Sequence, residues 1–304
     1  MASSRTVEVD GRELKLTNLD KVLYPQAGFS KGEMVDYYAR VADAMVPHLS
    51  GRAVTLRRFP EGVEDLDTAF FEKRCPKHRP KWVKTTSVRA GPNAGNIDFC
   101  VCDGRPTLVW MAQLAAIELH PSLSLGRAPT RPTVLAFDLD PGPPADIVDC
   151  CRVALRLREM FGHFGVESFP KTSGSKGMQV YVPLNKKLSY ETTKPFAKAI
   201  AQLLEKQTPD LVVSKMKKVE RGGKVFVDWS QNHRSKTTIA VYSLRARERP
   251  TASTPLKWDE VEAAADSGDG SGLVFEAGAV LERIERHGDL FAPVLELQQD
   301  LPDL

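Results

Sequence analysis

The stretch Ala136–Pro144, AFDLDPGPP, ends an apolar run in two carboxylates and then stops in a Pro/Gly cluster. Val134, Leu135, Ala136 and Phe137 lead into it and read as a strand buried on both faces. Side chains at i and i+2 of a strand point the same way. Asp138 and Asp140 therefore face together, ~6.5–7 Å apart along the strand. Like charges held in this way repel unless a cation lies between them, and a divalent metal is the usual answer. The plainer reading is a turn, because Asp before Pro-Gly is common loop chemistry.

Working outward, residues 145–164 place Ile147, Cys151, Ala154, Leu155 and Phe161 on one side of a predicted helix. Strands near 166–172 and 178–183 flank a glycine loop, a helix over 191–206 follows, and VFVDW closes the block. The order β-α-β-β-α-β is the ferredoxin-like or RNA-recognition arrangement. Beyond it, helices near 258–265 and 276–286 are joined by the flexible Ser267–Gly272 loop.

Toward the N-terminus, VEVDGRELKL (Val7–Leu16) alternates around Asp10-Gly11, a hairpin signal. Ser30 and Glu33 form a capping box that opens a helix to about Val46. GRAVTLRRFPEGV, AFFEK and IDFCVCDG read as strands, TLVWMAQLAAIEL as a buried helix, and SLGRAPTRP as the internal boundary. The predicted class is α+β and bilobed. An N-terminal α/β lobe covers 1–130, and an RNA-recognition-like lobe with a helical C-terminal tail covers 131–304.

With 304 residues, 42% hydrophobic and 27% charged, the composition is that of a globular chain with a sizeable core. Apolar stretches such as Leu108–Ile117 are too short to span a bilayer. MASSRTVEVDG has no signal-peptide core, so a cytoplasmic protein with no membrane partner is expected. Cys75, Cys100, Cys102, Cys150 and Cys151 are irregularly spaced, which favours free thiols over a disulfide framework or a structural zinc. Net charge is only +3, yet KRCPKHRPKWVK (Lys73–Lys84) and SKMKKVERGGK (Ser214–Lys224) concentrate positive charge. Such runs are often solvated faces. Two of them, beside aromatics or a candidate catalytic strand, point to a phosphate-backbone partner.

A third carboxylate shares the setting of the first two, since Asp228 ends the strand KVFVD. Three such carboxylates can hold two hard cations ~3.5–4 Å apart for phosphoryl transfer. TSGSKGMQVYVPL (Thr172–Leu184) adds Gly174 and Gly177, whose freedom lets backbone amides line an anion site, with Ser173, Ser175 and Lys176 as further donors. No Walker pattern is present. A glycine-rich hairpin is the bland alternative, although Lys176 favours a triphosphate.

DLDPG, TSGSKG and VFVDWSQN, in this order and spacing, resemble the polymerase domain of bacterial DNA ligase D, within the archaeo-eukaryotic primase superfamily. The resemblance runs from LTNLDKVLYP through YSLRAR to the tail. It implies template-directed nucleotidyl transfer with two divalent metal ions, manganese or magnesium, held by Asp138, Asp140 and Asp228. The primer 3′-hydroxyl is the implied nucleophile. Ser173, Lys176 and Arg245 would hold the triphosphate, with His120 and Arg57 in the nucleotide pocket. Without the family, His120 would be a helix-end cap. Asn18, Lys21 and Lys31 would grip the 5′-phosphate of a gapped or broken end, although from sequence alone they are a helix cap and surface charges. Phe70 and Phe71 would stack on the template; otherwise both read as core.

The family commonly has His where this chain has Gln179, which replaces a chargeable group at the nucleotide with a neutral amide. The KxDG motif of a nucleotidyl-lysine is absent, so the chain resembles a stand-alone or excised polymerase. The implied partners are gapped or broken DNA, NTP or dNTP, and an end-joining ligase with an end-binding protein. The implied setting is the bacterial cytoplasm, at the nucleoid, and a ribonucleotide preference is implied too. A metal-dependent nuclease or phosphoesterase could use the same aspartates, and a non-catalytic end-binding module would need none of them.

Overall fold

The computed structural model describes residues 4–89 and 95–302, and every candidate site residue lies among them. The α+β class holds. The chain divides into two compact units, one of Met1–Ser122, Thr237–Ala252 and Glu276–Asp289, the other of Leu123–Lys236, Ser253–Phe275 and Leu290–Leu304. No helix among the described residues is long and apolar enough to cross a membrane.

The first unit opens with the hairpin β1 (Ser4–Val9) and β2 (Arg12–Thr17), turned at Asp10 and Gly11, both at positive φ. That is what a two-residue hairpin turn of this hand demands. β3 (Val22–Tyr24) and β4 (Phe29–Ser30) lead to α1 (Lys31–Arg40), where the Ser30/Glu33 capping box forms as expected. The helix predicted to run on to about Val46 instead breaks at Val41, and α2 (Ala42–Leu49) follows.

β5 (Arg52–Arg58), β6 (Phe70–Glu72), β7 (Thr85–Arg89) and β8 (Asn96–Cys100) form a sheet in the order β6-β5-β8-β7. Cys75 and Cys100 are joined by a disulfide, their Cα atoms 4.8 Å apart. This corrects the expectation of free thiols at those two positions. Their spacing carried no sign of it, because the pairing depends on the loop after β6 returning to β8. Cys102, Cys150 and Cys151 are free and buried.

The run read as one buried helix is two elements, α3 (Arg105–Gln113) and β9 (Ala116–Leu125), the latter paired with β5. Ala115 between them has φ 57°, a left-handed conformation that ends the helix. An unbroken apolar run cannot by itself separate a buried helix from a buried strand.

In the second unit, β10 (Val134–Pro141) is followed by α4 (Ile147–Gly162), β11 (Phe169–Thr172), β12 (Met178–Pro183), α5 (Tyr190–Gln207), the short β13 (Val212–Val213) and β14 (Val225–Asp228). The strand order is β11-β12-β10-β14-β13, antiparallel except between β13 and β14. One face of β10 sends Leu135, Phe137 and Leu139 into a core shared with Ala154, Leu157 and Phe161 of α4 and Ile200 and Leu204 of α5. Alternation therefore turns Asp138 and Asp140 to the opposite face. α6 (Trp258–Ser267) packs on this unit, whereas α7 (Ala277–His287) belongs to the first and α8 (Pro293–Glu296) to the second.

Candidate active site

A polar row crosses the sheet of the second unit. Lys171 of β11 lies opposite Gln179 of β12, Gln179 opposite Asp138 of β10, and Asp138 opposite Asp228 of β14. Directly opposed residues of an antiparallel pair share a face. Gln179 Nε2 donates to Asp138 Oδ1 at 3.0 Å. Lys171 is buried and donates from Nζ to Ser253 Oγ at 2.6 Å. Asp228 is buried as well. Its Oδ1 accepts from Ser230 N at 2.9 Å and Ser230 Oγ at 2.6 Å, and its Oδ2 from Gln231 Nε2 at 2.8 Å.

Asp138 is half-buried and Asp140 is exposed. Burial and the Asp140 carboxylate push the Asp138 pKa up to about 7; Asp228 adds to the push, against donation from Gln179 and the charge of Lys171. Among the described residues no three His, Cys, Asp or Glu side chains already converge into a metal cage. The donor set nonetheless fits a hard cation, being all carboxylate oxygen. The repulsion that raises Asp138 is what a bound cation would relieve.

The TSGSKG loop joins β11 to β12. Ser173 N donates to Gly177 O at 2.9 Å, and Ser173 Oγ accepts from the backbone N–H groups of Ser175 and Gly177, each at 3.3 Å. The loop is thus closed on its own serine. Gly174 has φ 67°, the left-handed region where glycine is at no disadvantage. Lys176 is exposed.

In the first unit, Glu118 and His120 lie two residues apart in β9 and so share a face. Glu118 is 1% exposed, and its carboxylate accepts from Arg57 Nη1 at 3.2 Å, Arg245 Nε at 3.1 Å, Ala246 N at 3.1 Å and His120 Nε2 at 3.0 Å. Burial works against its charge, yet these donors hold the carboxyl well below the usual range. Burial also lowers the His120 pKa; Glu118 opposes this, and Arg245 and Arg57 reinforce it. An ionised carboxylate can only accept, so His120 Nε2 donates to Glu118.

Arg57 faces Phe71 across the β5–β6 ladder with Cζ 5.3 Å from the ring centre, and Arg58 stands likewise over Phe70 at 5.2 Å. Phe70 and Phe71 are 43% and 58% exposed, so the core alternative for them is overturned. Rings this exposed on a three-residue strand are available to stack on a ligand.

Asn18 is no helix cap. It sits at φ 55° in a turn, its carbonyl accepting from Lys21 N at 3.1 Å. Lys31 N donates to Lys21 O at 2.8 Å, and Lys31 Nζ to Thr17 O at 2.9 Å. Lys21 pairs with Glu61 at 2.6 Å. Lys31 is buried rather than a surface charge, and burial, with Lys21 and Arg58 nearby, lowers its pKa to about 8.

A family model described as LigD, primase-polymerase domain, matches residues 30–291. The chain belongs to this family. It is 42% identical over 283 residues to the multifunctional non-homologous end joining protein LigD of Mycolicibacterium smegmatis, covering 92% of this chain and 36% of that protein. Against the bifunctional LigD of Bacillus subtilis it is 31% identical over 291 residues, covering 95% and 45%. The chain thus spans less than half of either relative. The solved polymerase domain from Mycobacterium tuberculosis ligase D, in complex with DNA, matches with a TM-score of 0.85 at 40% identity, covering 93% of this chain and 98% of that one. The resemblance carried by the three motifs is borne out, and the family is one of nucleotidyltransferases.

Within this primase-polymerase chain the structure brings Asp138, Asp228 and Gln179 into one row, and Arg57, His120 and Arg245 onto one carboxylate. It turns the Gln179 amide onto Asp138. Sequence reasoning passed over Glu118, Lys171, Ser230 and Gln231. The alternation in AIELH was the available signal for Glu118, hidden once that run was read as a helix. Ser230 and Gln231 directly follow Asp228, and the short turn Trp229–Gln231 folds them back onto it.

Proposed function

We propose that the chain is a template-directed primase-polymerase that adds nucleotides to 3′-hydroxyl primers at short gaps and DNA ends in non-homologous end joining or gap-filling repair. Its carrying observation is the Asp138–Asp228 pairing, with Asp140 on the same face of β10. Asp138, Asp140 and Asp228 are the proposed ligands of two divalent ions, manganese or magnesium. Such ions, when bound, activate the 3′-hydroxyl and stabilise the leaving oxygen. Gln179, Ser230 and Gln231 orient the carboxylates. Lys176 and the Ser173-closed loop are proposed to hold phosphate, and Arg57, His120 and Arg245 to bind nucleotide. The ribonucleotide preference, the ligase and end-binding partners and the bacterial cytoplasmic, nucleoid setting rest on the resemblance.

The deciding experiment is primer extension on gapped DNA bearing a 5′-phosphate, with manganese and either NTPs or dNTPs. Templated addition, faster with NTPs, is the expected result. Primer shortening would instead make the chain a nuclease, and DNA binding without addition an end-binding module.

Asn18, Lys21 and Lys31 are proposed as the 5′-phosphate pocket, and this reading carries a pH dependence. Lys31 loses its charge as pH rises through about 8. The advantage of 5′-phosphorylated over 5′-hydroxyl gapped DNA is therefore expected to shrink between about pH 7 and 9, as read by fluorescence anisotropy. Phe70→Ala and Phe71→Ala are each expected to weaken binding of a gapped template by ~1–3 kcal/mol while leaving a blunt duplex unaffected.

A further inference from the structure

Glu118 is the most enclosed carboxylate among the described residues of the first unit. Each oxygen accepts two hydrogen bonds, Oε1 from Arg245 and Ala246 and Oε2 from Arg57 and His120. The donors come from separate parts of the chain: β5, β9 and the 237–252 return. Glu118 is shut off from solvent, but the side chains of Arg57, Arg245 and His120 keep 30%, 18% and 13% exposure. A ligand can touch them and not it.

Like charges set this close repel, and Glu118 is the acceptor that Arg57, Arg245 and His120 share. Arg247 is held below its usual range by burial and by the charges of Arg245 and Arg57, a sign of crowding that Glu118 offsets. Glu118 also selects the His120 tautomer, because a carboxylate can only accept the Nε2 hydrogen. We propose that Glu118 is a positioning residue, which sets Arg57, His120 and Arg245 in the arrangement that binds a nucleotide. This rests on the nucleotide-binding reading of those three residues.

The test is manganese-supported addition of ATP opposite a templating dT on gapped DNA, with Glu118→Gln beside Arg57→Ala and Arg245→Ala. Glu118→Gln is expected to raise KM for ATP by about 10–100-fold, by analogy with the loss when residues that orient metal ligands are changed. Turnover at saturation should stay within about threefold and affinity for the gapped DNA should be unchanged, a split that general unfolding would not produce. The His120 ring, followed by NMR, should titrate lower still, having lost the charge that supports its protonated form. In the double variant with Arg245→Ala the effects should fall well short of additive. If Glu118→Gln does not fold, Glu118→Asp, which withdraws the charge by one methylene, takes its place with the same expected rise in KM. A raised KM in the arginine variants with an unchanged KM in the glutamate variant would overturn the positioning role alone. An unchanged KM in all of them would overturn the nucleotide reading, and the proposal with it.

Discussion

Asp138→Ala/Asp140→Ala is expected to lose templated nucleotide addition by roughly three orders of magnitude or more, since on the proposed reading several kcal/mol of transition-state stabilisation would depend on the ions these carboxylates are proposed to hold. The loss should not come from unfolding. Asp140 is exposed, Asp138 half-buried, and their mutual repulsion is one of the causes that raise Asp138 to about 7. Removing both charges from the metal-free protein should leave its melting temperature at pH 7.5 equal to that of the parent or higher. Manganese should raise the melting temperature of the parent, by the equivalent of ~2.7 kcal/mol at a hundred times its Kd, and leave the variant unmoved. A variant that melts much lower without metal would mean that the aspartates are structural.

The pH dependence follows from the same group. Its folded pKa lies above the ~3.9 of an unfolded aspartate, so the folded chain binds this proton more tightly. The metal-free protein therefore loses stability as pH rises from about 4 to about 7, and the penalty is complete above that. Metal must displace the proton, so manganese affinity should rise with pH and level off above about 7. Melting temperatures from pH 5 to 8, with and without manganese, read both trends.

Gly177→Ala should be strongly damaging, as should Gly142→Ala, whose Cβ would stand 2.0 Å from Arg221 O. A Cβ at Gly177 would stand 2.0 Å from Leu139 O and 3.1 Å from Pro141 Cδ. The obstacle is backbone, so no side chain can rotate away, and the cost should reach at least ~3 kcal/mol, the upper end for overpacking. Leu139 lies between Asp138 and Asp140, so relief by moving β10 displaces the carboxylates, whereas relief by moving the loop displaces Ser173 and Lys176. Either way addition should fall with the melting temperature. Gly278→Ala is the control: it lies inside α7 with nothing near its Cβ, and alanine there should stabilise by ~0.5–1 kcal/mol.

Much of the second unit was legible in the chain itself. Its strands and helices alternate with clear periods, and the breaks fall at Pro, Gly and capping residues, signals that act over a few residues. The carboxylates were legible for the same reason, since the strand period alone puts Asp138 and Asp140 on one face. The first unit was harder to read where its signals are long-range. Residues 107–119 are apolar almost throughout, and only the pairing of β9 with β5 makes a strand of Ala116 onward.

The amino-acid sequence by itself determined the α+β class, the β-α-β-β-α-β order, the aspartates and glycine loop, and through the motifs the family. These depend on local periodicity and on residue types at short spacing. Only the tertiary structure decided that Asp138 faces Asp228, that Gln179 turns to Asp138, that Cys75 meets Cys100, and that Arg57 and Arg245 converge on Glu118. Those partners are brought together by strand register and loop return, across separations of 25 to 127 residues in the cases of Cys75–Cys100 and Glu118–Arg245. No local pattern encodes them, because the energy that selects them is the burial and pairing of the whole sheet.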